Sequence, residues 1–353
     1  MQDATRISRR VFLSACAGTL LPVRARAGDF GSALPRYAPK ARFAGTLRVS
    51  GADTMRDLVA AWAREFRAFQ PDVKIDNAAT KLSADGVDAL LAGRADVVTY
   101  VREPFAAEVD AIARRFGHAP GLVNVAGGSY ATKSGTHALA IFVNAANPIT
   151  HISLDELDAI YSKDRRRGRA AITTWGQLGL TGDWADKPIR AYGMLHQRET
   201  GNPPGIVNYF RERVLRGGEI RDGIDEQVDR PGETALDAIV HRVAEDPAGI
   251  GYSGFAYAAP GTKTLRLAET PRGPYYAGTP DEVARRVYPL SRQIYLGFRA
   301  SPDAALAPAL REFLAFVLSR QGQKIVAEDR MRFIALTPAQ AEASRRALRR
   351  AIP

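Results

Sequence analysis

The sequence predicts an α/β protein built in two blocks. Between residues 46 and 126, short β-branched stretches alternate with stretches of helical period, the order expected of a parallel sheet covered on both faces. A second series of apolar strands and capped helices starts at residue 138. The chain has 353 residues, 46% of them apolar and 25% charged, enough for two globular units of ordinary size.

The first 27 residues read as an export signal rather than as fold. Ser8-Arg9-Arg10-Val11-Phe12-Leu13 is a twin-arginine pattern, an apolar run continues from Val11 to Val23, and Ala25-Arg26-Ala27 is a small-residue cleavage site. The apolar run is shorter than the roughly 20 residues a stable membrane anchor needs. The mature chain is therefore expected to begin near Gly28 and to work outside the cytoplasm, periplasmic or secreted, with no membrane insertion after cleavage. A lipid anchor on Cys16 is disfavoured, because cleavage there would leave almost no apolar segment after Arg10. Cys16 is the only cysteine, so a mature chain without it has no disulfide, thiol catalysis or cysteine-bound zinc.

Residues 28–44, rich in Gly, Pro and Ala, read as a tether. A strand is expected at 46–50, a turn at Gly51-Ala52-Asp53, then a helix in which Met55, Leu58, Val59, Trp62, Phe66 and Phe69 recur at helical spacing. Asp53 or Thr54 can cap its first amides. Strands at 73–77, 96–99 and 122–126 alternate with helices at 84–92 and 108–116, the latter stopped by Gly117. In the second block a strand at 138–144 precedes a short helix that Ser153 opens, with Glu156 completing a capping box. Strands at 188–193 and 250–253 and helices through Val207, Phe210 and Val214 and at 235–243 follow. The chain closes with a strand at 294–298 and helices at 304–319, 320–328 and 337–350.

The motifs exclude several chemistries. Gly249, Gly251 and Gly254 match G-x-G-x-x-G, but they follow Asp246-Pro247 and precede an aromatic stretch instead of a helix, so a tight strand explains them better than a dinucleotide site. The five histidines lack metal-ligand spacing, and no nucleophile elbow or Walker loop occurs. No cofactor is expected. The net charge of +11 includes five arginines and one aspartate in the signal, leaving about +7 on the mature chain, which suits collection of small anions. The basic residues do not form one stripe, and an exported chain meets no genome, so no nucleic-acid partner is expected. Three loops lead from a strand into a helix: Ser50-Gly51-Ala52-Asp53-Thr54, Lys81-Leu82-Ser83-Ala84-Asp85-Gly86, and Thr200-Gly201-Asn202. Unpaired amides, the positive end of the helix dipole and small hydroxyls make such loops anion sites, although each alone is more often a plain cap.

These residues resemble those of the periplasmic phosphate-binding proteins that feed ABC importers. The resemblance spans residues 45–330. It rests on Ser50-Gly51-Ala52-Asp53-Thr54-Met55, Gly93-x-Ala95-Asp96-Val97, Ala140-Ile141-Phe142-Val143-Asn144 with Asn147-Pro148, Trp175-Gly176-Gln177-Leu178-Gly179, Ile250-Gly251-Tyr252 and Tyr288-Pro289-Leu290-Ser291-Arg292. It implies a two-lobe periplasmic-binding-protein fold, each lobe a mixed sheet flanked by helices, joined by crossover hinge strands near 135–142 and 249–255. Lobe 1 would combine 45–134 with 255–353, and lobe 2 would be 135–254, closing by hinge motion on a ligand between them. The ligand implied is inorganic phosphate or a related oxyanion, and the partner implied is an importer permease; the protein is expected to be a monomer.

In such proteins phosphate meets hydroxyls and amides of three loops, an arginine and a carboxylate. By position, Ala52, Asp53, Thr54 and Met55 match the first loop and Ser83 the second, while Thr200, Gly201 and Asn202 fall where Ser-Gly-Thr is usual. Asp53 is either the carboxylate that accepts the phosphate proton or a plain N-cap. Val101 stands where Asp or Ser is common, and Met194 and His196 stand where a Tyr-Gly-Arg run would supply the arginine. Arg102 or Arg198 is the replacement cation. These departures leave room for a sensor or accessory protein of the same fold with weak phosphate affinity. A secreted phosphoester hydrolase using Thr54 or Ser83 as nucleophile is a further alternative, with no base or metal cluster to support it.

Overall fold

The computed structural model describes residues 33–130, 132–133, 135–196, 203–301 and 305–350. The signal region, the first part of the expected tether and the Thr200 loop lie outside them. The described part of the tether is a docked strap. Leu34 and Tyr37 are buried among Phe66, Phe69 and Phe316, and the Tyr37 hydroxyl donates to Glu312 at 2.8 Å. Leu34 and Tyr37, three residues apart, hold this segment down despite its proline content.

The chain then builds β1 (Gly45–Ala52), α1 (Arg56–Arg67), β2 (Val73–Thr80), α2 (Ser83–Leu91), β3 (Val97–Tyr100), α3 (Ala106–Phe116) and β4 (Gly121–Ser129). It continues with β5 (Leu139–Asn144), β6 (His151–Ser153), α4 (Leu154–Tyr161), β7 (Arg190–Met194), α5 (Gly205–Arg213), β8 (Asp225–Gln227), α6 (Ala235–Glu245) and β9 (Gly249–Gly254). The remaining elements are β10 (Thr262–Thr264), β11 (Arg266–Ala268), α7 (Pro280–Ala284), β12 (Gln293–Phe298), α8 (Pro308–Val317), α9 (Arg320–Glu328), β13 (Phe333–Ile334) and α10 (Pro338–Arg350). Gly117, at φ 81°, ends α3, and Ser153 caps α4 with Glu156 in a reciprocal box, both as the sequence predicts.

The first sheet has the order β13-β4-β12-β3-β1-β2. Strands β1, β2 and β3 are parallel, as the alternation implies, but β12 enters antiparallel between β3 and β4 and makes the sheet mixed. All four residues of β3 are buried, the mark of a central strand covered on both faces. One face carries Leu47, Val49 and Val97 against Trp62, Phe66, Phe313 and Phe316; the other sets Val98 and Tyr100 against Val87, Leu90 and Ile112.

The second sheet, β10-β5-β9-β7-β8, is also mixed. Its core holds the Phe210–Tyr252 stack, with ring centroids 4.3 Å apart, and Tyr161, whose hydroxyl faces the carbonyls of Tyr192 and Ile250. The return to the first sheet differs from the expected one at 255. Strand β10 pairs with β5, β11 pairs with β6, and Leu265, Leu267, Val283, Tyr288 and Leu290 all join the second core. Burial of these apolar side chains keeps residues 255–290 there, so β9 is a full member of the second sheet and the chain crosses back at 290–293. The outgoing passage runs beside it: Leu139 donates its amide to the Leu290 carbonyl at 3.1 Å, and Gly128 to that of Arg292 at 2.9 Å.

Candidate anion site

Three strand ends meet at one edge of the first sheet. The register sets Ala52 beside Thr80 and Gly51 beside Thr99. The loops that follow β1, β2 and β3 therefore emerge side by side, and two of them open directly into α1 and α2. Close packing fixes their spacing. Gly51 sits at φ 129°, and a Cβ there would lie 2.6 Å from both the carbonyl and the hydroxyl oxygen of Thr99. A Cβ on Gly86 of α2 would lie 2.7 Å from the Gly51 Cα. The Thr80 hydroxyl donates to the Gly51 carbonyl at 3.0 Å.

The predicted site residues take different places at this edge. Ala52 is buried at the end of β1, Asp53 is exposed, Thr54 is half-buried and Met55 is wholly buried in the first core. Met55 can therefore offer a ligand only its backbone. The expected cap is absent: neither Asp53 nor Thr54 makes a side-chain bond to the first amides of α1. A single tight turn at Asp53–Met55 leads into α1 instead, and the amide of Arg56, the first of the helix, donates to the Asp53 carbonyl. Ser83 is the first residue of α2 and is 3% exposed; its hydroxyl accepts a long 3.4 Å contact from the Val101 amide. Asp85 bonds the Leu82 amide at 2.9 Å, which leaves the α2 entrance partly served.

Arg102 reaches the same edge but is already engaged. It forms a two-pronged ion pair with Glu108 at 2.5 and 2.9 Å, donates to the Glu103 carbonyl and lies 3.6 Å over the Phe105 ring. Its aliphatic stem packs on the second lobe, where a Cβ on Gly205, the first residue of α5, would lie 3.0 Å from the Arg102 Cδ. Among the described residues no side chain caps α5. Arg198, Thr200, Gly201 and Asn202 fall in the segment outside the described residues. On its near flank, His196 pairs through Nδ1 with Glu226, and the Met194 amide donates to the Tyr252 hydroxyl at 3.2 Å.

The structure adds groups that sequence reasoning missed. Glu103 and Arg292 form an ion pair at 3.2 Å, and Arg292 lies 4.9 Å over the Tyr209 ring of α5. His137, on the outgoing passage, donates Nδ1–H to the Gly135 carbonyl at 2.9 Å. Burial, then the charge of Arg292, pushes its pKa down to about 4, partly offset by that bond. The Tyr288–Arg292 motif was the one local signal for this cluster; Glu103 and Tyr209 lie 83 and more residues from Arg292 in sequence, and no spacing announces their meeting. Among the described residues no group of His, Cys, Asp and Glu could hold a metal, and no helix is long and apolar enough to cross a membrane.

Comparison with known proteins agrees with this architecture. Residues 38–321 match the family model described as a PBP superfamily domain. The chain is 34% identical over 298 residues to the phosphate-binding protein PstS of Pseudomonas aeruginosa, covering 84% of this chain and 85% of that protein. It is 26% identical over 189 residues to protein SphX of Synechococcus elongatus, covering 53% of this chain and 50% of that protein. Among solved structures, PstS from Borrelia burgdorferi superposes with a TM-score of 0.52 at 16% identity, covering 82% of this chain and 98% of that one. An ABC-type phosphate transport receptor from Vibrio cholerae gives 0.51 at 20%, covering 82% and 99%. The chain belongs to the PBP superfamily, in the family of the PstS phosphate-binding proteins.

Proposed function

We propose that this protein captures phosphate or a related oxyanion between its two lobes, outside the cytoplasm, and delivers it to the permease of an ABC importer. The observation that carries the reading is the neighbouring entrances of α1 and α2. The first is uncapped by any side chain, and the half-buried Thr54 and buried Ser83 sit at them. A tetrahedral anion there exchanges water for amides, hydroxyls and two helix dipoles. Thr54 and Ser83 donate hydroxyl bonds, and Ala52, Asp53 and Met55 contribute through the loop backbone; Thr200, Gly201 and Asn202, outside the described residues, are the further ligand positions that the family resemblance implies. The names of the relatives support phosphate as the anion. The proposal involves binding with no chemical step, by an exported monomer that uses the twin-arginine route.

Titration calorimetry of the mature chain with phosphate tests the proposal. Saturable binding is expected. The variants Thr54→Val and Ser83→Ala should each weaken it about 10- to 100-fold, since a hydrogen bond to a charged group is worth about 1.5–3 kcal/mol. No response to phosphate or any other small oxyanion would overturn it. A second reading, a sensor or accessory protein of weak affinity, is favoured by one feature. Arg102 is held by Glu108, and the position at which the family resemblance implies an arginine carries His196, paired with Glu226.

A further inference from the structure

The two lobes meet at a buried cation that the anion site itself does not explain. Arg292 lies on the returning passage between Leu290, in the second core, and β12, in the first sheet. Its side chain is 5% exposed. One nitrogen donates to the Glu103 carboxylate at 3.2 Å, and the guanidinium sits 4.9 Å over Tyr209. Glu103 directly follows Arg102 in the loop after β3. Tyr209 is one turn beyond Gly205 on α5, so the two residues share a helix face. That face meets the loop twice: Gly205 against the stem of Arg102, and Tyr209 through Arg292.

Neighbouring contacts hold Arg292 in place. The Tyr209 hydroxyl donates to the Ser291 carbonyl at 2.8 Å, and the Arg292 carbonyl accepts from Gly128 at 2.9 Å. Nε of Arg292 is buried without a partner among the described residues. The side chain of this dry guanidinium is held by its contacts to Glu103 and Tyr209, and these run to different lobes: the loop after β3 in one and α5 in the other.

We propose that Arg292 is a positioning residue for anion binding, a strut that fixes the loop carrying Arg102 and Glu103 relative to α5 and so sets the spacing of the two halves of the site. It does not touch the anion. Opening the lobes must break its contact with Glu103 or with Tyr209, and a variant without it loses the coupling between them. The inference rests on the anion-binding reading for its affinity readout, but not for its structural one.

Hydrogen exchange on the ligand-free chain, followed by mass spectrometry, tests the strut without any ligand. Arg292→Gln should speed exchange at least tenfold in both 101–105 and α5, while α9, remote from the seam, exchanges as in the wild type. Glu103→Gln, which removes the same ion pair with an isosteric amide, should reproduce the effect on the loop if Arg292→Gln fails to fold. In calorimetry with phosphate each single variant should weaken binding about tenfold, and the double variant should be no weaker than Arg292→Gln alone. Arg292→Lys, which keeps the charge opposite Glu103 but loses the planar stack on Tyr209, should recover loop protection and not α5 protection. Unchanged exchange in both segments, or losses that multiply in the double variant, would overturn the proposal. If the wild type binds no phosphate, the functional reading fails and the exchange pattern still decides the strut.

Discussion

Replacing Gly86 with alanine should damage the anion site through backbone geometry alone. The added Cβ would stand 2.7 Å from the Gly51 Cα, 2.8 Å from the Ser50 carbonyl oxygen and 2.9 Å from the Gly51 nitrogen. Ordinary carbon contacts are about 3.5–4.0 Å, so α2 must retreat from β1 by roughly 1 Å. The obstacles are main-chain atoms of a strand paired on both sides, and they cannot rotate away. Overpacking of this kind costs about 1–3 kcal/mol. The retreat also carries Ser83, three residues earlier on the same helix, away from the entrance of α1. Hydrogen bonds tolerate only a few tenths of an ångström, so the Ser83 contact to a shared anion should be lost, a further drop of about 10- to 100-fold in affinity. Urea unfolding gives the first quantity and phosphate calorimetry the second. Gly93→Ala is the control. That glycine, unlike the helical Gly86, has a positive φ of 71°, and a Cβ there meets nothing within 4 Å, so a loss of about 1 kcal/mol in stability and none in affinity is expected. A Gly86→Ala protein with wild-type midpoint and wild-type affinity would refute the packing argument.

Other perturbations have defined outcomes. His137 has a folded pKa of about 4 against 6.5 for the free side chain, so the unfolded chain binds the extra proton first. Stability from this residue is complete above about pH 6.5 and is lost as pH falls to about 4, a total of about 3 kcal/mol. The stability–pH curve of His137→Gln should be flatter than wild type over that window, and parallel curves would contradict the assignment. Tyr252→Phe removes the acceptor of the Met194 amide at the end of β7 and should cost about 1–3 kcal/mol in urea unfolding while leaving the Phe210 stack in place. Arg102→Ala strands Glu108, whose side chain is 11% exposed, and should cost about 3 kcal/mol; restoration by adding Glu108→Gln would separate this structural role from direct anion contact.

The local elements were legible in the sequence because local rules made them. Helical spacing of Leu58, Val59, Trp62 and Phe66 gave α1, and Ser153 with Glu156 marked the start of α4. The mixed character of the first sheet was not legible from strand alternation, because β12 joins β3 from about 195 residues further along and apolar strands look alike whichever way they run. The docking of Leu34 and Tyr37 was hidden by a composition that reads as linker. Residues 255–290 read as first-lobe material, since short edge strands such as β10 carry little pattern of their own. Thr54 and Ser83 stand out in the sequence because small hydroxyl residues at strand-to-helix loops have a local meaning, and the structure sets them at the entrances of α1 and α2. Asp53 as a helix cap did not survive: it stands exposed and makes no cap bond. The cluster of Glu103, Tyr209, His137 and Arg292 is assembled by tertiary folding from four separate segments, and each residue taken alone is ordinary.

A diffraction structure of the phosphate-loaded chain tests the central claim most directly. The anion should lie between the entrances of α1 and α2, within about 2.7–3.2 Å of the Thr54 and Ser83 hydroxyls and of backbone amides in the loop that leads from β1 to α1. Phosphate bound elsewhere, with these two hydroxyls facing only water, would contradict the account.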